Sequence, residues 1–90
     1  MTRFHVLLSK HAIKDLNKLD PSVSKVIFSW ISKNLEGCED PRTRGKQLKG
    51  NLVKFWRYRV GDYRILCEIR EQEIIIIVVA IGHRREIYNG

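Results

Sequence analysis

Between Phe55 and Arg64 the chain reads Phe-Trp-Arg-Tyr-Arg-Val-Gly-Asp-Tyr-Arg, two alternating runs on either side of Gly61-Asp62. Alternation at period two predicts strands, and a glycine in a two-residue turn supplies the positive φ that tight hairpins favour. A hairpin in this register sets Arg59 directly across from Arg64, with Arg57 on the same face two residues back along the strand. The opposite face then carries Trp56, Tyr58, Val60, Tyr63, Ile65, Cys67 and Ile69, a surface suited to burial. Opposed like charges weaken a sheet, so a fold that keeps these guanidiniums together is expected to aim them at something negative. One face reads as core and the other as an anion site.

Hydrophobic periodicity arranges the rest of the chain around that hairpin. Phe4, Val6 and Leu8 alternate as a strand, and Ser9 offers an N-cap to a helix whose apolar positions are Ala12, Ile13, Leu16 and Leu19. Lys10, Lys14, Asp15 and Lys18 mark its wet side. Asp20-Pro21 restarts the chain as a second helix, with Val23, Val26, Ile27, Trp30, Ile31 and Leu35 in one stripe and Gly37 as the stop. Residues 38–50, with Pro41, Gly45, Gly50 and many charges, read as the most mobile loop, with room for a short helical turn. Three strands follow over about 52–60, 63–70 and 73–81. The last is apolar on both faces and so reads as a central strand. A turn at Glu71-Gln72 would set Arg70 against Glu73. The expected architecture is α+β: a strand, a two-helix hairpin, then a three-strand antiparallel meander, with the helices packed on one face of the sheet.

Ninety residues fit one domain, 1–90. Lys+Arg 17 against Asp+Glu 10 gives a net charge of +7, which points to polyanions or an acidic protein as partners. The longest apolar run, 74–81, falls far short of the ~20 residues that span a bilayer, and no signal peptide is read at the amino terminus. No membrane partner is expected. Cys38 and Cys67 lie in no metal-ligand or disulfide-framework spacing, so a reduced, cytoplasmic protein without a metal or other cofactor is expected. Cys67 reads as a small core residue, and His5 and His11 as ordinary structural or surface positions. The chain has no carboxylate pair for glycoside chemistry and no serine or cysteine nucleophile beside a histidine.

After the apolar strand comes Gly82-His83-Arg84-Arg85-Glu86-Ile87-Tyr88. A central strand emerging beside the hairpin is expected to bring His83, Arg84 and Tyr88 to the patch of Arg57, Arg59 and Arg64. Guanidiniums fork onto phosphate oxygens, a tyrosine ring stacks on an unpaired base, and histidine moves protons near neutrality. Arg42, Arg44, Lys46 and Lys49 in the loop are a solvated run or, on a nucleic-acid partner, RNA-phosphate contacts. Trp30 and Trp56 read as core.

Leu48-Lys49-Gly50, the run from Phe55 to Ile65, and Val79-Ala80-Ile81-Gly82-His83-Arg84-Arg85-Glu86-Ile87-Tyr88 together closely resemble the RelE toxins of the RelE/ParE superfamily. The helical hairpin from Ser9 to Val23 resembles theirs as well. The resemblance implies a type II toxin–antitoxin toxin, a ribosome-dependent mRNA endoribonuclease that inhibits translation and is silenced by an acidic antitoxin. By position, Arg57 and Arg59 match two basic residues, often lysines, around the scissile phosphate. Arg64 matches a phosphate-binding arginine, Arg84 the residue that protonates the leaving oxygen, and Tyr88 the tyrosine that orients the RNA. Arginine at both lysine positions departs from the family's pattern and removes a lysine base, which draws attention to His83 as acid or base. The implied reaction is attack of a 2'-hydroxyl on the adjacent phosphate to leave a 2',3'-cyclic phosphate. The alternatives are a ParE-type toxin that poisons DNA gyrase without cutting RNA and an RNA-binding protein that has lost cleavage.

Overall fold

Two caps set the helices. Ser9 Oγ accepts the N–H of Ala12 (3.0 Å) and starts α1 (Lys10–Lys18). Asp20 Oδ1 accepts from the N–H of Ser22 (3.1 Å) and starts α2 (Pro21–Asn34), whose first residue is a proline that needs no donor there. The computed structural model describes residues 2–85. Its strands are β1 (His5–Leu8), β2 (Lys46–Gln47), β3 (Phe55–Val60), β4 (Tyr63–Arg70) and β5 (Ile75–His83). They form one sheet in the order β1-β5-β4-β3-β2, in which β1 runs parallel to β5 and every other pair is antiparallel.

Both helices lie on one face of this α+β sheet. Ala12, Ile27, Ile31 and Leu35 are buried against Tyr58, Ile65, Cys67, Ile76, Val78 and Ile81. Burial of such side chains, about 1.5–3 kcal/mol for a large one, is the main force holding the layers together. The apolar stripes are narrower than the sequence implied. Ile13 and Val26 are exposed, Val26 on the rim of a groove that it lines with Val60 and Tyr63. Asp15, expected on the wet side of α1, instead accepts the N–H of Ile81 of β5 (2.9 Å).

The segment expected to be the most mobile is tied down at several points. A 3-10 turn at Pro41–Thr43 is held by the buried Tyr58 hydroxyl, which donates to the Pro41 carbonyl (2.6 Å). The Trp56 indole donates to the Arg44 carbonyl (2.6 Å). Gly45, at φ +77°, lies so close to β3 that a Cβ there would sit 2.4 Å from the Arg57 carbonyl, so only glycine fits. These contacts deliver the two residues of β2 to the edge of β3.

The turn between β4 and β5 corrects the sequence reading. It spans Glu71 to Ile74, with Ile74 at φ 57° and its N–H on the Glu71 carbonyl (3.2 Å). Arg70 therefore faces Ile75 rather than Glu73, and pairs with Glu68 on its own strand (2.9 Å). Glu-Gln lacks the positive-φ residue that a two-residue turn requires, so the longer loop prevails.

At the β1 margin, Phe4 exchanges hydrogen bonds with the segment after α2: its N–H donates to Cys38 and its carbonyl accepts from Gly37. Glu36 accepts the N–H of Val6 (2.9 Å) and pairs with His5. The Val6 bond, then His5, holds this carboxyl below its ordinary pKa. A lowered carboxyl pKa contributes stability above the unfolded-state value that is lost as pH falls through the folded one.

Replacing Tyr58 with phenylalanine strands the buried Pro41 carbonyl and is expected to cost about 1–3 kcal/mol. Urea unfolding of Tyr58→Phe should show a lower midpoint at unchanged slope; a midpoint equal to that of the parent would mean the hydroxyl anchors nothing.

Candidate functional site

The β3–β4 hairpin forms in the expected register. Gly61 takes φ +58° at the turn, Arg59 faces Arg64, and Tyr58 and Ile65 pair on the buried side. Because paired residues share a face, Arg57, Arg59 and Arg64 lie together on the face turned away from the helices. The neighbouring strands extend the set. Lys46 of β2 pairs with Arg57, and Gly82 of β5 pairs with Arg64. Beyond β5, the N–H of Arg84 donates to the Asp62 carbonyl (2.8 Å), continuing the β4–β5 ladder by one step. That step sets Arg84 beside the hairpin turn on the same face as Arg64.

Arg64 is the centre of this patch. It is the buried charged residue of the described chain, 6% exposed, and its Nη1 donates to the carbonyls of Gly61 (3.2 Å) and Tyr63 (3.1 Å). Its buried Nε has no hydrogen-bond partner among the described residues. Desolvation pulls its pKa down, repulsion from Arg59, Arg57 and Arg84 adds to that, and Asp62 opposes it. The same three arginines that share its face are therefore close enough to act on its charge. A buried cation lacking a full set of acceptors and crowded by like charges stabilises any anion placed over it.

A cleft of about 380 Å³ adjoins the patch at the β3 margin, lined by Trp30, Arg44, Lys46, Arg57 and Arg59 among others. Arg44 and Lys46 thus join the hairpin cations. Arg42 lies over the Trp56 ring (5.7 Å) and pairs with Glu71, while Lys49 is exposed ahead of a second 3-10 turn, Gly50–Leu52. Trp30 and Trp56, read as core, are each half-buried. Lys46 was expected among the loop's phosphate contacts, but its place in a strand beside Arg57 was not readable, since two residues leave no periodicity.

His83 goes elsewhere. It pairs with Tyr63 on the helix-bearing face, where the two rings meet edge to face (5.5 Å between centroids, 82°). Its Nδ1 accepts the Arg85 N–H (3.3 Å), which leaves the neutral ring's proton on Nε2. The sequence expectation put His83 with the arginines; the register separates them. Tyr88 lies outside the described residues. Among the described residues no cluster of three His, Cys, Asp or Glu could hold a metal ion.

Over residues 6–88 the sequence matches the family described as the ParE toxin of the type II toxin–antitoxin system parDE. The chain belongs to the RelE/ParE toxin superfamily. Among its relatives, toxin RelE3 of Methanocaldococcus jannaschii is 34% identical, covering 93% of this chain and 94% of its own. Toxin RelG of Mycobacterium tuberculosis is 27% identical, covering 96% and 97%. The toxin–antitoxin complex RelBE2 from Mycobacterium tuberculosis contains a chain that superposes with a TM-score of 0.83 at 26% identity, over 91% of this chain and 99% of that one. The isolated Escherichia coli RelE toxin shares the fold, with a TM-score of 0.70 at 18% identity over 89% and 83%. This RelE/ParE chain is thus a type II toxin–antitoxin toxin by family.

Opposition of Arg59 to Arg64 costs stability that an anion would restore. Arg59→Gln is expected to raise folded stability by a few tenths to about 1 kcal/mol in low salt. Inorganic phosphate should raise the Tm of the parent more than that of the variant, because a ligand that binds only the folded state stabilises it. Equal phosphate shifts in the two proteins would show that the patch does not gather anions.

Proposed function

We propose that this toxin is a ribosome-dependent mRNA endoribonuclease that acts in the cytoplasm and is silenced by an acidic antitoxin. The observation that carries the reading is the convergence of Arg57, Arg59 and Arg84 around the partly desolvated guanidinium of Arg64. A scissile phosphate gains negative charge as the 2'-hydroxyl attacks it, and pre-placed cations in a low-dielectric patch stabilise that charge without reorganising. In this reading Arg57 and Arg59 flank the non-bridging oxygens and Arg64 holds them from below. The 2'-oxygen forms a bond to phosphorus and loses its proton to solvent. The bond to the 5'-oxygen breaks, Arg84 protonates that oxygen, and the product carries a 2',3'-cyclic phosphate. Tyr88 orients the RNA, and Arg44 and Lys46 extend the phosphate track, with Arg42 and Lys49 on its outskirts.

In this reading His83 has a structural part rather than proton transfer, which its pairing with Tyr63 on the helix-bearing face supports. Charge stabilisation is then the dominant source of rate. The partner assignment rests on the net charge of +7 and on the relatives crystallised as toxin–antitoxin complexes, RelBE2 of Mycobacterium tuberculosis among them. An acidic antitoxin segment laid across the arginine face would neutralise the charges that the substrate needs. No helix among the described residues is long and apolar enough to cross a membrane.

The matched family's description as a ParE toxin favours a second reading, in which the chain poisons DNA gyrase without cutting RNA. One experiment separates the two. Purified toxin is mixed with ribosomes carrying a defined message and, in parallel, with gyrase and relaxed plasmid. Codon-positioned cuts ending in 2',3'-cyclic phosphate are expected, with supercoiling unaffected. Arg64→Ala and Arg84→Ala should cut about 10²–10³-fold more slowly, and His83→Gln at close to the parent rate. An intact message beside blocked supercoiling would replace the first reading with the second.

A further inference from the structure

The face on which each residue after β5 emerges is decided by one irregularity in that strand. Ile76 and Val78 pair with Ile69 and Cys67 on the helix-bearing face. Continued without interruption, the alternation would turn 80, 82 and 84 toward the helices, and would place His83 and Arg85 beside Arg64. The register does not continue. Cys67 pairs with Val78 but Leu66 pairs with Ala80, so Val79 is an extra residue, a bulge. From there Ile81 and His83 take the helix side, and Gly82 and then Arg84 take the arginine side. A single inserted residue exchanges a histidine for an arginine at the patch, the re-aiming that bulges produce.

The bulge sits where β5 loses its outer neighbour. β1 pairs only with Ile75 to Val78 and ends at Leu8. Beyond it, Ser9, the N-cap of α1, and Asp15 of that helix supply the partners that a strand would have given. Ser9 Oγ donates to the Val79 carbonyl (3.2 Å), while accepting from Ala12 in the helix. Ser9 N–H donates to the Val78 carbonyl (2.9 Å). Asp15 Oδ2, two turns along the helix, accepts the Ile81 N–H (2.9 Å) and lies 3.3 Å from His11 Nε2. The carboxylate is mostly shielded, its side chain 15% exposed. Backbone groups in such a place require partners, and these two side chains bracket the extra residue.

We propose that Ser9 and Asp15 are positioning residues that clamp the Val79 bulge and thereby select Arg84, rather than His83, as the basic group facing the scissile phosphate. Neither touches RNA. This rests on the endoribonuclease reading for its consequence, although the clamp itself is independent of that reading.

The test combines a structural and a kinetic arm. In the parent protein the Ile81 amide should exchange slowly with solvent deuterium although β1 does not reach it, and the His83 and Tyr63 rings should show mutual nuclear Overhauser contacts. In Asp15→Ala the Ile81 amide should exchange at least about tenfold faster. The kcat for cleavage should fall about tenfold or more with KM within about twofold, as expected when a reacting group is displaced but binding is kept. Asp15→Asn, which retains an acceptor oxygen, should recover most of the rate. Combined with Arg84→Ala, the Asp15→Ala change should cost nothing further, since its effect passes through Arg84.

A parent Ile81 amide that exchanges as fast as an exposed one, or Asp15→Ala losses that add in full to those of Arg84→Ala, would overturn the clamp. If the parent cuts no RNA, the endoribonuclease reading fails by itself, and the clamp stands or falls on the exchange and ring-contact data.

Discussion

The placement of Arg59 across from Arg64 is the constraint on which the rest of this molecule turns. It follows from a two-residue turn at Gly61-Asp62 and from nothing longer-ranged. Yet like charges held opposite each other disfavour the sheet that carries them, so the opposite face must supply the compensation. It does so with Tyr58, Ile65 and Cys67, all fully buried beneath the two helices. Burial also pushes the Cys67 thiol and the Tyr58 phenol above their ordinary pKa values, which keeps both neutral and inert. The division of labour is strict: neutral, packed groups below the sheet and crowded cations above it.

Other elements then add to the patch from outside the hairpin. The loop after α2 brings Lys46 to Arg57 only because Tyr58, Trp56 and Gly45 fasten it to β3. The chain after β5 brings Arg84 by one extra ladder bond to Asp62. Each contribution comes from a different part of the chain, and each is fixed by backbone pairing rather than by a long side chain reaching across. Such backbone-set placement is what preorganised charge stabilisation demands, since little freedom remains to be lost when an anion arrives.

What the amino-acid sequence disclosed follows the range of the forces involved. The β3–β4 register, both helix caps and the order of elements were legible because glycine at a turn, Ser9 and Asp20 act over three or four residues. β2 was not legible, since two residues have no period and tertiary contacts alone create the strand. The side taken by His83 was not legible either. The run from Ile74 to Val79 is uniformly apolar, so nothing in it marks Val79 as surplus; that is set by the pairing with β4 and by Ser9 and Asp15, some seventy residues earlier. The exposure of Ile13 and Val26 likewise depends on how the helices are set over the sheet, which periodicity does not report. The part expected of Tyr88 comes from the resemblance to RelE toxins alone, and that residue lies outside the described ones.

The two margins of the sheet differ in a way that bears on life without a partner. At β1, Gly37 and Cys38 occupy the groups of Phe4, and Glu36 occupies the N–H of Val6. At the other margin β2 spans only Trp56 and Arg57, so among the described residues no strand covers β3 at Arg59. Exposed margins invite copies of a protein to zip together. Here one side is sealed by hydrogen bonds and the other is guarded by Coulomb repulsion, so the defence against self-assembly on the second side weakens with ionic strength. The charges that would hold copies of the chain apart at that margin are the same ones that an anion would meet.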